Sequence, residues 1–197
     1  MFVCPHREIA FGNADSWRGI QELSLRENVS GGELRQGTIV RCAWTEKAFH
    51  VHFTCVDAEP WATITKRDGH LWEEEVVEVF IDPIGDLESY FELEVNPLNT
   101  VLDLVLRKNR SGYRKDFAWD CENLRTAVTR TSSGWSAEFL IPFAALMAQP
   151  PHRASQWRVN FYRIDRPKNS ERELSAWCPT LLPTFHFPQR FGVLQFG

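Results

Sequence analysis

Short segments in which apolar and polar side chains alternate constrain this chain more than any other feature. In 48–56, AFHVHFTCV, the odd-numbered apolar residues share one face, whereas His50, His52 and Thr54 share the other. Alternation with a period of two is the pattern of a β-strand that buries one face. Further strands of this kind are predicted at 38–44, 75–82, 89–97, 101–107, 124–131, 134–142, 156–165 and 191–196.

The spacing of these segments predicts the fold class. Strands this short and frequent, separated by turn residues, are typical of an all-β, antiparallel β-sandwich of two sheets, jelly-roll-like in character. One helical turn is expected at FAALM, directly after Pro142. No linker rich in Gly, Ser or Pro interrupts the chain, and 43% of its residues are hydrophobic. We therefore predict a single domain over 1–197.

Composition excludes several classes of partner. The formal net charge is -4 with acids and bases mixed, which argues against a nucleic-acid partner. No apolar run approaches the ~20 residues of a membrane span. The five cysteines are odd in number and lack a C-x-x-C pair, so free thiols are expected. The N-terminal MFVCPHREIAFGNADSW has no secretory pattern, which favours the cytoplasm unless a signal was removed. We predict a monomer.

The stretch 67–83, RDGHLWEEEVVEVFIDP, places a tryptophan and three acids before an apolar strand. Within the strand, Val77, Val79 and Ile81 share one face, and Glu78 lies on the other. In 89–97, Glu92, Glu94 and Asn96 likewise lie opposite an apolar set. If the two strands are neighbours, one sheet face is dry and the other carries hydrogen-bond acceptors. Asp103 of the following strand is expected on this polar face as well.

Trp72 and Glu78 each allow more than one interpretation. Trp72 is either a core residue or a platform for a flat ligand at a strand boundary, and eight tryptophans in the chain raise the weight of the second. Glu78 is costly to bury alone. Three roles are therefore open for Glu78: an ion pair with an arginine of a neighbouring strand, acceptance of hydrogen bonds from ligand hydroxyls, or membership of a catalytic carboxylate pair.

Metal and catalytic motifs are sparse. His50 and His52 are two residues apart and are candidate metal ligands, but polar residues that alternate on a solvent face explain them equally well. No third ligand accompanies them. Nucleophile, nucleotide and metalloprotease motifs are absent from the sequence.

The segments TKRDGHLWEEEVVEVFIDP and YFELEVNPLNTVLDL resemble the family 9 carbohydrate-binding modules. The later segments WRVNFYRID, ELSAWCPT and PTFHFPQRFGVLQF extend the resemblance over nearly the whole chain. It implies a β-sandwich that binds sugars without cleaving them. By the resemblance, Trp72 and Trp177 clamp a sugar, and Glu78 accepts hydrogen bonds from its hydroxyls. Asn96 and Arg163 are further candidate binding residues.

We therefore predict a non-catalytic module whose partner is a saccharide or the end of a polysaccharide. No cofactor is assigned, and structural calcium in a loop is left open. Arg107 and Arg163 are expected to keep the acids of the polar face charged, which disfavours a glycosidase acid. One rival is a haem-binding domain of the related DOMON type, for which Met147 is the internal methionine available as an axial ligand, and a bis-histidine or His–Lys site is left open as well. A glycoside hydrolase is the other.

Overall fold

The computed structural model describes residues 1–168 and 171–197. Within them the chain forms fourteen strands, one α-helical turn and three 3-10 turns. The strands are β1 Phe2–Cys4, β2 Leu23–Ser24, β3 Arg26–Glu27, β4 Thr38–Trp44, β5 Ala48–Val56, β6 Val76–Asp82, β7 Ser89–Val95, β8 Val101–Asn109, β9 Gly112–Asp116, β10 Arg125–Thr131, β11 Gly134–Pro142, β12 Gln156–Asp165, β13 Glu173–Ala176 and β14 Gly192–Phe196. The helical turn α1 is Phe143–Leu146, and the 3-10 turns are Ala14–Trp17, Leu71–Glu73 and Pro188–Arg190.

The strands form two sheets. The large sheet has the order β1-β14-β12-β6-β7-β8-β9, and β13 pairs with the end of β12 and with β3. The small sheet has the order β10-β11-β5-β4-β2. The predicted all-β sandwich and its helical turn are therefore confirmed. One pairing departs from the antiparallel prediction, because β1 lies parallel to β14.

Hairpin geometry explains how the small sheet is built. Strands β4 and β5 are joined by the short turn 45–47, and β10 and β11 by a turn that leads into Gly134. Gly134 has a φ of 149°, and a Cβ at this position would lie 1.9 Å from the carbonyl oxygen of Cys55. Only glycine permits this close approach of β11 to β5.

The large sheet is buried on both faces. Its inner face packs against the small sheet and contributes Val77, Val79 and Ile81 of β6 to the main core. Its outer face carries a second apolar group, the outer cluster, which includes Phe80, Tyr90, Tyr162, Phe185 and Phe191. The segment that follows β13 covers this face, as shown by the ring of Phe185, which stacks on Tyr162 with 4.2 Å between ring centres. The functional residues described below lie on the outer face.

Two expectations about the sheet need comment. Strands β6, β7 and β8 are neighbours, as predicted, and Glu78 pairs in register with Glu94. Asp103, however, pairs with Leu93, which faces the main core, so Asp103 lies on the inner face. The alternation of side chains along β8 therefore separates Asp103 from the acids of β6 and β7.

No helix in the described residues is long and apolar enough to cross a membrane. The single-domain and monomer assignments stay predictions.

Candidate functional site

A cavity of about 330 Å³ opens on the outer face of the large sheet. Its walls combine aromatic, acidic and basic side chains, and we call it the Trp72 pocket. The residues that line it are His70, Trp72, Glu78, Glu92, Lys115, Phe117, Ile164, Arg172, Leu174, Pro183, Thr184, Phe185 and His186. Concave sites with apolar walls and a few convergent polar groups are the usual places where small molecules bind.

Trp72 stands at the rim of this pocket on the 3-10 turn that precedes β6. The neighbouring Leu71 is fully buried and fixes the turn against the outer cluster, whereas the Trp72 indole is half-buried. The imidazole of His70 stacks on the indole at 4.5 Å between ring centres, and Phe117 lies 6.3 Å away. The platform interpretation of Trp72 is thus compatible with its position.

Three glutamates form the acidic floor of the pocket: Glu78 and Glu92 line the cavity beside Trp72, and Glu94 lies behind them. Glu78 of β6 lies opposite Glu94 of β7 in the sheet register. Glu92 lies two residues before Glu94 on the same face of β7. They bring carboxylate oxygens within 4.8 Å of one another, and their exposed fractions are 2% for Glu78 and Glu92 and 0% for Glu94. One oxygen each of Glu78 and Glu92, and both oxygens of Glu94, have no hydrogen-bond partner. Neither Glu78 nor Glu94 pairs with an arginine among the described residues.

This arrangement corrects the predicted charge state of the floor. Burial, and then the Glu92 carboxyl, raises the pKa of Glu78 well above its usual range. Burial and the carboxyls of Glu78 and Glu92 raise the pKa of Glu94 in the same way. Arg107 cannot counter this effect, because it pairs with Asp116 on the surface. The expectation that arginines keep every acid charged was therefore wrong.

Lys115 is the basic residue that contacts the acidic floor of the pocket. Its Nζ lies 3.3 Å from Oε1 of Glu92 and 4.5 Å from the centre of the Trp72 ring. The residue belongs to β9, where Lys115 pairs with Leu106 and so shares the outer face. Sequence reasoning missed it. The sequence pattern that could have indicated it is the alternation of Tyr113, Lys115 and Phe117, which places these three side chains on one face of the chain, toward the pocket.

His186 is a further polar residue in the wall of the pocket. Its ring stacks on Phe80 at 5.5 Å, and its Nδ1 lies 3.0 Å from the hydroxyl of Tyr90. Partial burial lowers the pKa of His186 despite the nearby Glu92, whose Oε2 is 4.0 Å away. A neutral imidazole here presents one donor and one acceptor. His186 lies in an irregular segment with no repeating pattern, so sequence reasoning had no means to place it.

The structure does not bring Trp177 to the Trp72 pocket. Its indole contacts Phe161 at 5.7 Å and Phe2 at 6.2 Å, and it packs against the main core. The reason is the alternation along β13, which directs Leu174 and Ala176 to the outer face and the next residue to the inner side. The structure therefore does not bring together the two indoles of the predicted clamp, since Trp72 packs on the outer cluster and Trp177 on the main core.

Asn96 and Arg163 are also directed away from the pocket. The Asn96 side chain donates to the carbonyl of Ile64 and accepts from the backbone N–H groups of Leu98 and Thr100, so it closes the turn between β7 and β8. Arg163 is 1% exposed and pairs with Asp57 at 2.8 Å. Its register partner is Val77, which faces the main core. Of the five predicted residues, Trp72 and Glu78 line the pocket.

His50 and His52 do not form a metal site in the described residues. Neither belongs to a group of three ligating side chains. Burial lowers the pKa of each to about 4, with Arg41 contributing at His52. The His52 ring packs against Trp17 at 5.2 Å between ring centres. Packing on the outer face of the small sheet accounts for these two histidines.

Three acidic clusters in the described residues have the composition that a calcium ion requires. They are Asp57, Glu75 and Asp165; Asp68, Asp103 and Asp120; and the pocket floor. Each already contains a basic side chain, namely Arg163, Arg67 and Lys115. At the first cluster, burial and Asp57 raise the pKa of Glu75 to about 9, which further reduces its negative charge. A calcium ion would have to displace these residues, so the clusters are poor matches for it.

A haem site finds little support at Met147. This residue follows α1 and lines a surface cavity with Lys47, Phe143 and Ala144, in which no histidine takes part. An axial pair of methionine and histidine requires both side chains to face one cavity. Met147 therefore does not supply the ligand pair that the rival prediction needs.

Comparison with known proteins identifies the family. A family model described as carbohydrate-binding family 9 matches residues 35–196. A search of the curated proteins gave no match. Among solved structures, a proposed carbohydrate-binding protein from Bacteroides uniformis superimposes with a TM-score of 0.82 at 19% identity, covering 100% of this chain and 98% of the other.

Two further structures are family 9 modules from Caldicellulosiruptor kristjanssonii. One, in complex with cellotriose, has a TM-score of 0.75 at 13% identity and covers 99% of this chain and 92% of the other. The second, in complex with glucose, has a TM-score of 0.73 at 14% identity and covers 100% and 95%. At such identities the structures show a shared fold. With the family model spanning most of its length, the chain belongs to carbohydrate-binding family 9.

Proposed function

We propose that this protein is a non-catalytic module that binds a saccharide in the Trp72 pocket. The observation that carries the proposal is the pocket itself, in which a half-buried indole stands beside buried carboxyl groups in a family 9 chain. A pyranose presents C–H groups on its faces and hydroxyls around its edge. The indole accepts a face, whereas Glu78, Glu92 and His186 exchange hydrogen bonds with the edge.

The size and polarity of the pocket fit one or two sugar units better than a long chain. Its volume of about 330 Å³ is at the lower end of ligand cavities, and Phe185, Pro183 and Leu174 close one side. Stacking on one indole with a few hydrogen bonds gives affinities of roughly micromolar to millimolar order. We therefore expect a saccharide or the end of a polysaccharide as partner.

The positions of the acids support a binding role rather than hydrolysis. Glycosidases place two carboxyl groups on either side of the scissile bond, about 5–9 Å apart. Here Glu78, Glu92 and Glu94 project side by side from two neighbouring strands, with oxygens within 4.8 Å. They would meet one side of a ligand only. Family 9 modules are also generally binding domains without catalytic activity.

Calorimetry with Trp72→Ala tests the proposal. The ligands are glucose, cellotriose and positives from a glycan array of the isolated protein. Loss of the indole should weaken binding by about 2 kcal/mol, or roughly 30-fold, and leave unfolding by urea cooperative. Trp61→Ala is the matched control, because Trp61 is half-buried outside the pocket and hydrogen-bonds to the carbonyl of Arg166. Equal losses in both variants, or reducing sugar released by the native protein, would count against the proposal.

A further inference from the structure

The Trp72 pocket already holds a cation of the protein's own. The ammonium of Lys115 lies 4.5 Å from the centre of the Trp72 ring and 3.3 Å from Oε1 of Glu92. An aromatic face together with a carboxylate is the arrangement by which proteins bind ammonium groups. Lys115 thus shows which chemistry this part of the pocket stabilises.

Lys115 satisfies only part of the acidic floor. Three carboxyl groups converge there, and the lysine contacts one oxygen of Glu92. Oε1 of Glu78, Oε2 of Glu92 and both oxygens of Glu94 accept no hydrogen bond from an N–H or hydroxyl group, although these side chains are at least 98% buried; the only contact of this kind at Glu94 is with the Glu92 carboxyl, among the described residues. Unpartnered buried acceptors are costly. Neutral hydroxyls would relieve this cost less than a second positively charged donor.

We propose that the Trp72 pocket prefers a saccharide that carries a free, protonated amine, with the ammonium held by the unpartnered oxygens of Glu78 and Glu92 and the sugar ring on Trp72. The inference rests on the proposed saccharide function and specifies the ligand class. Glu94 lies behind the two contacting acids and does not line the pocket; burial and the neighbouring carboxyls raise its pKa, so it keeps its proton.

Binding of such a ligand releases protons. Burial and mutual repulsion raise the pKa of Glu78 and Glu94, so a carboxyl must lose its proton when an ammonium arrives. Affinity therefore rises with pH until the amine itself loses its proton. Uncharged sugars bind the protonated floor and release none. The titratable and charged groups that face the ammonium are Glu78, Glu92, Glu94, Lys115, His186, Tyr90, His70 and Arg172.

Isothermal titration calorimetry with three matched sugars tests the preference. Glucose, glucosamine and N-acetylglucosamine differ at one carbon only, and the fully deacetylated glucosamine disaccharide extends the series. Glucosamine or its disaccharide should bind about tenfold or more tightly than glucose and N-acetylglucosamine at pH 6.5 and 0.1 M salt. Titrations in two buffers of different ionisation enthalpy, neither a primary amine, should show proton release with the amines alone. Ethanolamine serves as the non-sugar amine and should bind far more weakly.

Two variants locate the effect. Glu78→Gln should reduce the glucosamine preference severalfold, because an amide cannot become the anion that holds the ammonium. Lys115→Met should increase the preference, because the competing ammonium is removed. Glu122→Gln, at an exposed glutamate, is the matched control and should leave it unchanged.

The outcomes separate the two proposals. Equal or tighter binding of glucose or N-acetylglucosamine overturns the amine preference and leaves saccharide binding intact. A preference that persists in Glu78→Gln and does not rise in Lys115→Met overturns the amine preference as well. Absence of binding to all of these sugars and to cellotriose overturns both proposals.

Discussion

Replacement of Glu94 by glutamine should make stability less dependent on pH. Glu94 is 0% exposed, both of its oxygens lack a partner, and burial together with Glu78 and Glu92 raises its pKa. Between the unfolded pKa of about 4.3 and the raised folded value, the folded protein binds more protons than the unfolded chain. The free energy of unfolding therefore falls as pH rises, by up to about 1.4 kcal/mol per pH unit for one proton.

Glutamine at position 94 cannot lose a proton, so the variant lacks this contribution. From pH 5 to pH 7 its stability relative to the native protein should increase by ~1–3 kcal/mol. A fixed offset from burying an amide shifts the whole curve without changing this slope. Urea unfolding of both proteins at pH 5, 6 and 7 measures the difference, with Glu122→Gln as the exposed control. A difference that is constant across pH would show that the Glu94 carboxyl is not stabilised in its protonated form, and would refute the reasoning.

Three further predictions concern the buried ion pair of Arg163, the packing of Trp177 and the acidic clusters. Arg163→Met should lower the free energy of unfolding by about 3–5 kcal/mol, because Asp57 and Asp165 would be left buried without their cation; Arg107→Met, at an exposed pair, should lower it by less than about 1 kcal/mol in the same urea titration. Trp177→Leu should lower stability by ~2–4 kcal/mol and leave saccharide affinity nearly unchanged, since the indole packs on the main core; calorimetry that shows lost affinity with an intact fold would restore the clamp. Addition of calcium or of EDTA should leave the melting temperature unchanged, because each acidic cluster already has its own basic side chain, and a calcium-dependent rise in differential scanning fluorimetry would contradict this.

Most of the strands could be predicted from the sequence because the alternation that marks a strand is a local pattern. The hairpin of β4 and β5, and strands β6, β11 and β12, agree with the sequence prediction to within one residue at each end. Each carries a period-two pattern that one buried face imposes on the chain. The two-residue strands β2 and β3 carry no such pattern, and their pairing with β4 and β13 depends on the rest of the fold.

Only part of the pocket could be predicted, because only some of its residues are marked by a local sequence pattern. Trp72 and Glu78 are close in sequence, and their unusual neighbours marked them as candidates. Lys115 and His186 reach the same cavity from elements far apart in the chain. Alternation could have placed Lys115 on the same side of the chain as Tyr113 and Phe117, but it does not show that Lys115 contacts Glu92. The position of His186 depends on the path of the segment after β13 over the large sheet.

The sequence by itself determined the sandwich, the neighbouring strands β6, β7 and β8, and the indole and acid at the start of β6. Tertiary structure decided on which side of the large sheet Trp177, Arg163 and Asp103 lie. Successive residues of a strand point to opposite faces, and the register of β12 and the end of β13 direct Arg163 and Trp177 to the main core rather than to the pocket. It also decided the charge of the floor, because burial and the neighbouring carboxyls, which the tertiary structure brings together, raise the pKa of Glu78 and Glu94.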